Sequence, residues 1–243
     1  MAKFTQNDAW ADTLRLMRTH WGALVAIAGV FNFLPVLLMN HLLPWPEPAP
    51  GIEPARALAM LGTFLRQNLI WFALQSFVVM IGSAAVLRLV FRQNVTVGGA
   101  LWFGILLLPA YSLMLLFTNL AVCIGLVLLL VPGLYLIGRL FPAGAAMVAE
   151  DRRNPIETIR RAFALTEGHG WQILGLYLLV AIPGGVLVYA VQAVSGSLFI
   201  LIAGQGLGKL LAGIVIAALN ALLTTLLTML SAAVYRALAP QKP

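Results

Sequence analysis

Long apolar runs separated by short charged stretches set the pattern of this chain. Counted between charged residues, Arg18 to Glu47 leaves 28 uncharged positions, Arg66 to Arg88 leaves 21, and Lys209 to Arg236 leaves 26. Arg92 to Glu150 encloses 57 positions with one interruption, Arg139, and Glu167 to Lys209 leaves 41. A helix needs about 20 mostly apolar residues to cross a bilayer. The three shorter runs therefore hold one span each. The run of 57 holds two, and the run of 41 holds one span followed by a loop, "SGSLFILIAGQGLG". The pattern predicts an all-α fold, a polytopic membrane helical bundle in a single domain over 1–243. Its six transmembrane helices fall near 21–43, 68–91, 99–118, 121–149, 171–194 and 210–235.

One boundary has two readings. "VPGLYLIGRLF" puts Pro132–Gly133 inside an apolar run. As a turn, it makes the preceding helix unusually long. As a kink, it lets one bent helix run from Ala121 to Ala149, with the turn near "FTNL". The boundaries above take the kink, because proline bends a membrane helix without ending it.

Two polar stretches have helical periodicity without the length to span. In "EDRRNPIETIRRAFALTEGHGW" eight residues are charged, four of each sign. Asn154 as N-cap, Pro155 at the first position and Glu157 at the third predict a helix start. Ile156, Ile159 and Phe163 share one face, while Glu157, Arg160, Arg161 and Glu167 lie largely on the other. Glu157 and Arg161 are spaced for an i,i+4 pair. Gly168 suits the C-cap. An amphipathic helix near 154–168, lying at the interface with its charges in water, is expected. A second is expected near 7–20, with Trp10, Leu14, Met17 and Trp21 on one face and Asp8, Asp12, Arg15 and Arg18 elsewhere. Each leads into a span containing proline, Pro35 or Pro183. With a weaker third copy around Trp102 and Pro109, this suggests a repeated unit of a lead-in and a two-span hairpin.

Composition agrees with lipid as the main solvent. The chain is 61% hydrophobic and 9% charged, against about 25% charged in soluble domains. The net charge of +7 does not point to nucleic acid, because the basic residues flank apolar runs rather than forming one block. They read instead as topology signals. With the N-terminus inside, eleven Lys and Arg fall inside and three, Arg56, Arg66 and Lys209, outside. Both termini are therefore expected in the cytoplasm. The first outer loop, "PWPEPAPGIEP", is expected to be extended. The N-terminal stretch does not read as a signal peptide. The one cysteine, Cys123, lies in an apolar run and allows no internal disulfide.

The run from Leu129 to Leu176 resembles the glycerophosphodiester phosphodiesterase membrane-domain family. The resemblance rests on Pro132, Gly133, Arg139, Glu150, Ala162, Leu165, Thr166, Gly168, His169 and Trp171. It is specific over that run and general, in the layout of six spans, elsewhere. It implies a bacterial inner-membrane protein of a group with no assigned activity. The family's fused members add a soluble phosphodiesterase domain, and the resemblance here covers the membrane part alone. Alanine at Ala162 and Ala164 stands where many relatives would have a serine.

Motifs for chemistry are few. No HExxH, cysteine cluster, P-loop or G-x-S-x-G occurs, so no metal and no cofactor is expected. The candidate ligand-binding residues are Arg139, Glu150, His169 and Trp171, with no catalytic residue assigned. Arg139 stands ten residues before Ala149, about 15 Å along a continuous helix. That places it near mid-membrane, where a charge costs roughly 2.5–3.5 kcal/mol. It should face the bundle interior or a wet cavity, such as one holding a lipid phosphate, or pair with helix carbonyls or with Asn119, Gln75 or Tyr111. Three functions follow. The first is a non-enzymatic inner-membrane protein that handles lipid or scaffolds a membrane partner or a second copy, in envelope upkeep. The second is a small-solute transporter using proline-broken helices. The third is an interfacial enzyme using Glu150, Asp151 and His169.

Overall fold

A computed structural model describes residues 5–43, 46, 51–92 and 94–239, with the backbone alone at 197 and 203. The described residues are helical almost throughout, with no strand among them. Six helices are long and apolar enough to cross a membrane. Most of the outer loop "PWPEPAPGIEP" lies outside the described residues.

Helix α1 (Gln6–Thr19) begins at Thr5, whose hydroxyl accepts the Asp8 N–H. It stops at His20, and α2 (Trp21–Leu42) sets off as the first span. A π-helical turn, Gly29–Phe33, widens α2 just before Pro35. Proline has no N–H to give the carbonyl four residues back and its ring crowds that carbonyl, so the ladder has to open there. Amphipathic α3 (Pro54–Gln67) precedes α4 (Leu69–Phe91). Next comes α5 (Val97–Leu128), started by Thr96 accepting the Gly99 N–H at 3.1 Å.

The Pro132 boundary resolves as the turn. The chain stays helical through "FTNL", where the Asn119 side chain gives its N–H to the Leu115 carbonyl at 2.8 Å. It breaks at Leu129, which is extended (φ −155°, ψ 127°). The fourth span therefore starts at Leu130, not Ala121, and runs to Ala149 as α6 (Leu130–Leu140) and α7 (Ala143–Ala149). Pro132 falls in the first turn of α6, where a missing N–H costs no helical hydrogen bond.

Helix α8 (Pro155–Leu165) then leads to α9 (Gly170–Ile202) and α10 (Gly204–Leu238). The loop expected from Ser195 is absent: α9 continues to Ile202 and the chain reverses at Gly204. Gly204 has φ 77°, a conformation that side chains with a Cβ rarely adopt.

Burial concentrates at one end of the bundle. Ala145, Ala146, Met147 and Val148 of α7 are wholly buried, against Ala84–Leu87 of α4 and Met229, Ala232 and Ala233 of α10. The outside is apolar, with Val127, Ile70 and Leu201 all strongly exposed. A surface made of such residues suits lipid and not water.

Both lead-in helices pack small residues on the bundle beside part of the expected apolar face, with Met17, Ile159 and Phe163 half-buried against the core. On α1 the buried residues are Ala9, Thr13 and Leu16, while Trp10, Leu14 and Trp21 point outward. On α8 the buried residues are Thr158 and Ala162, and Ile156 is 55% exposed. Small side chains permit close approach of two backbones. The buried threonines satisfy their own hydroxyls, Thr13 donating to the Ala9 carbonyl at 2.8 Å and Thr158 to the Asn154 carbonyl at 2.9 Å. Trp10, Leu14, Trp21 and Ile156 are left for the lipid side.

Candidate functional site

The polar residues gather where α7, α8 and the ends of α4, α9 and α10 meet. Asn154 starts α8 as expected, its side-chain oxygen accepting the Ile156 N–H at 3.0 Å and the Glu157 N–H at 3.4 Å. The other end of α8 is held by Arg139. Its Nε donates to the Thr166 hydroxyl at 2.9 Å, one terminal nitrogen to the Tyr135 hydroxyl at 2.8 Å and the other to the Phe163 carbonyl at 2.6 Å. A cation on a last-turn carbonyl is favoured by the helix dipole. Thr166 passes its own proton on, with the Ala162 carbonyl 2.7 Å away. The guanidinium also lies 5.1 Å from the Phe163 ring centre and 5.5 Å from that of Tyr135.

Arg139 is thus paired with a helix carbonyl, one of the expected solutions, but not with Asn119, Gln75 or Tyr111. It is the tenth residue of the fourth span, Leu130–Ala149. It packs beside Gly170, the first residue of α9, where a Cβ would come within 2.8 Å of the arginine Cδ. Gly138, on the same helix, likewise admits no Cβ against the Gly170 carbonyl. Counting along the chain toward Ala149 does not show that α8 brings the chain back beside Arg139. Trp171 stands next to this centre, its ring 5.5 Å from that of Tyr135. The His169 Nδ1 lies 2.9 Å from the Glu167 carbonyl, so a proton on that nitrogen completes a hydrogen bond.

Glu150 forms the second centre. Arg161 reaches it at 2.8 Å, Arg152 at 2.6 Å and the Tyr235 hydroxyl at 3.1 Å. Burial pushes the Glu150 pKa up, but the hydrogen bonds from Arg161 and Arg152, the Arg161 charge and the Tyr235 hydroxyl together hold it below the ordinary glutamate value. The expected Glu157–Arg161 pair is not made. Arg161 goes to the less exposed Glu150, where a counter-charge is worth more, and Glu157 takes Arg152 at 3.7 Å. Asp151, in a left-handed conformation (φ 52°), is gripped by Arg88 and by Arg92, the latter at 2.6 Å. Arg88 also lies 4.1 Å over the Phe103 ring. A third clasp joins Asp12 of α1 to Arg15 and, at 3.4 Å, to Arg236 at the end of α10.

The structure therefore places Arg139 and Trp171 about one centre and Glu150 in the next, with α8 between them. Neither carboxylate of the Glu150–Asp151 pair is bare. The neighbouring arginines in the chain meet this charge only in part: Arg152 holds Glu150, but the remaining cations come from α4, the α4–α5 turn and α8. Tyr135, Tyr235, Arg88 and Arg92 were not singled out in the sequence. Arg88 and Arg92 were visible only as flanking charge, and a tyrosine in an apolar run carries no local sign of its partner. No group of three or more metal-ligating side chains occurs among the described residues.

The chain matches no family model, no curated protein and no solved structure. Fold and surface define its class: a multi-pass, all-helical integral membrane protein. The particular activity is left to the arrangement of its polar residues.

Proposed function

We propose that this is a non-enzymatic protein of the bacterial inner membrane, with both termini cytoplasmic, that binds and handles lipid or scaffolds a partner in envelope maintenance. The observation that carries this reading is a surplus of cations at one end. Asp12, Glu150, Asp151 and Glu157 there are held by arginines, while Arg18, Arg153 and Arg160 are exposed and make no ion pair to the described residues, against two carboxylates, Asp8 and Glu167, that make none either. Cations at a membrane surface attract anionic lipid headgroups, at about 1 kcal/mol each. The resemblance to the phosphodiesterase membrane domain supports a membrane role without its catalytic part.

Native mass spectrometry of gently extracted protein tests this. A retained phospholipid is expected, and protein that emerges bare at every detergent concentration would sink it. A reporter active only in the cytoplasm tests the orientation: activity is expected near Asn154 and none at Gly51.

A solute transporter is the second reading. It is favoured by the π-helical turn in α2, where buried Asn32 gives its N–H to Thr225 at 3.3 Å while its carbonyl oxygen has no partner among the described residues. Uptake of a solute by vesicles containing only this protein would favour it.

A further inference from the structure

On the lipid-facing side of the bundle, α2 and α10 do not close completely. Between them runs an open apolar groove of about 230 Å³. Met17, at the end of α1, and Trp21 lie at one end, Phe33 marks the other on α2, and Ala218 and Thr225 line it on α10. From Trp21 to Phe33 the helix rises about 18 Å, much of the depth of one leaflet's hydrocarbon. Thr225 is the polar group in its wall, and its hydroxyl is already donated to the Ala221 carbonyl at 2.7 Å. Apart from the Trp21 indole N–H and the Met17 sulfur at one end, the remaining side chains of the wall offer only carbon, so the groove suits a hydrocarbon chain better than a polar solute.

No charged residue lines the groove, but a cation stands next to it in the chain. Arg18 follows Met17, is exposed and has no carboxylate partner among the described residues, and His20 marks the break into α2. Resting on the lipid reading above, we propose that this groove holds one acyl chain of a single anionic phospholipid, with its phosphate at Arg18. Two features on the page select that occupant. The groove runs along the span, in the direction a lipid tail takes, and the charge beside its Met17 end, Arg18, is positive, exposed and without an ion pair to the described residues. The break at His20 turns α1 aside and so leaves that end open.

The test uses the full chain in nanodiscs of equal phosphatidylglycerol and phosphatidylethanolamine, extracted gently and read by native mass spectrometry. Wild type should retain one lipid, enriched in phosphatidylglycerol. Ala218→Phe fills the groove from an exposed position and should cut retained lipid at least five-fold. Ala26→Phe, exposed on α2 outside the groove, should leave it unchanged. Arg18→Gln should bring the ratio of the two lipids near one. If Ala218→Phe retains as much lipid as wild type, the groove is overturned while the lipid reading stands. If wild type is bare, both fail. Should Ala218→Phe misfold, Arg18→Gln decides alone, because an unchanged ratio of headgroups overturns the proposal.

Discussion

Helices α3 and α8 are both short, amphipathic and basic, and both precede a span. They meet the rest of the molecule in opposite ways. Helix α3 has no buried residue, and the ion pair beside it, Arg56 with Glu53 at 3.9 Å, is exposed and local. Helix α8 buries Thr158 and Ala162 completely and is held at one end by Arg139 and along its side by Glu150. Amphipathicity therefore determines that a helix lies on something. It does not determine whether that something is lipid or protein. The difference lies in what faces each helix. The docked helix presents a stripe of small residues to a partly buried carboxylate and a cation that needs a carbonyl. The free one presents Leu58, Met60 and Leu65, all exposed and suited to lipid.

Substitutions can break this contrast. The largest effect is expected from Arg139→Leu, which strands the Phe163 carbonyl and the hydroxyls of Thr166 and Tyr135 and should cost about 3 kcal/mol. The melting temperature in detergent should fall well below wild type, with Arg139→Lys between the two. A leucine variant that melts with wild type would show that α8 is held by other means. Next comes Ala162→Leu, which overpacks the docked face at about 2 kcal/mol. Ala59→Leu, the comparable enlargement on exposed α3, should leave melting unchanged, and equal losses from the two would erase the distinction.

Glu150→Gln should cost about 1 kcal/mol, because Arg161 loses a charged partner that is only partly exposed. Its pH dependence has a definite sign. The folded-state pKa lies below the ordinary glutamate value. The stabilisation is therefore present above the ordinary value and disappears as pH falls through the folded one. Melting of wild type should decline across that acidic window, and Glu150→Gln should flatten that part of the profile. The smallest effects belong to exposed charges: Arg160→Gln on α8 and Arg66→Gln on α3 should each stay within about 0.5 kcal/mol. A larger loss for Arg160 alone would mean that its side of α8 faces a partner.

The sequence by itself determined the number of spans, the positions of α1 and α8 and the cap at Asn154. These depend on quantities that add residue by residue, namely the transfer of side chains into lipid and the hydrogen bonds of a helix's own first turn. Tertiary structure decided the rest. Whether Pro132 bends a helix or begins one depends on how α5 and α6 pack at Gly125 and Gly133, which are too close to admit a Cβ. Whether Arg161 pairs with Glu157 or Glu150 depends on which carboxylate is less exposed, and exposure is a property of the assembled bundle. The seat of Arg139 beside Thr166, 27 residues along the chain, exists only because α8 returns antiparallel to α7. A charge finds its partner by distance in space, and a pattern of hydropathy records only distance along the chain.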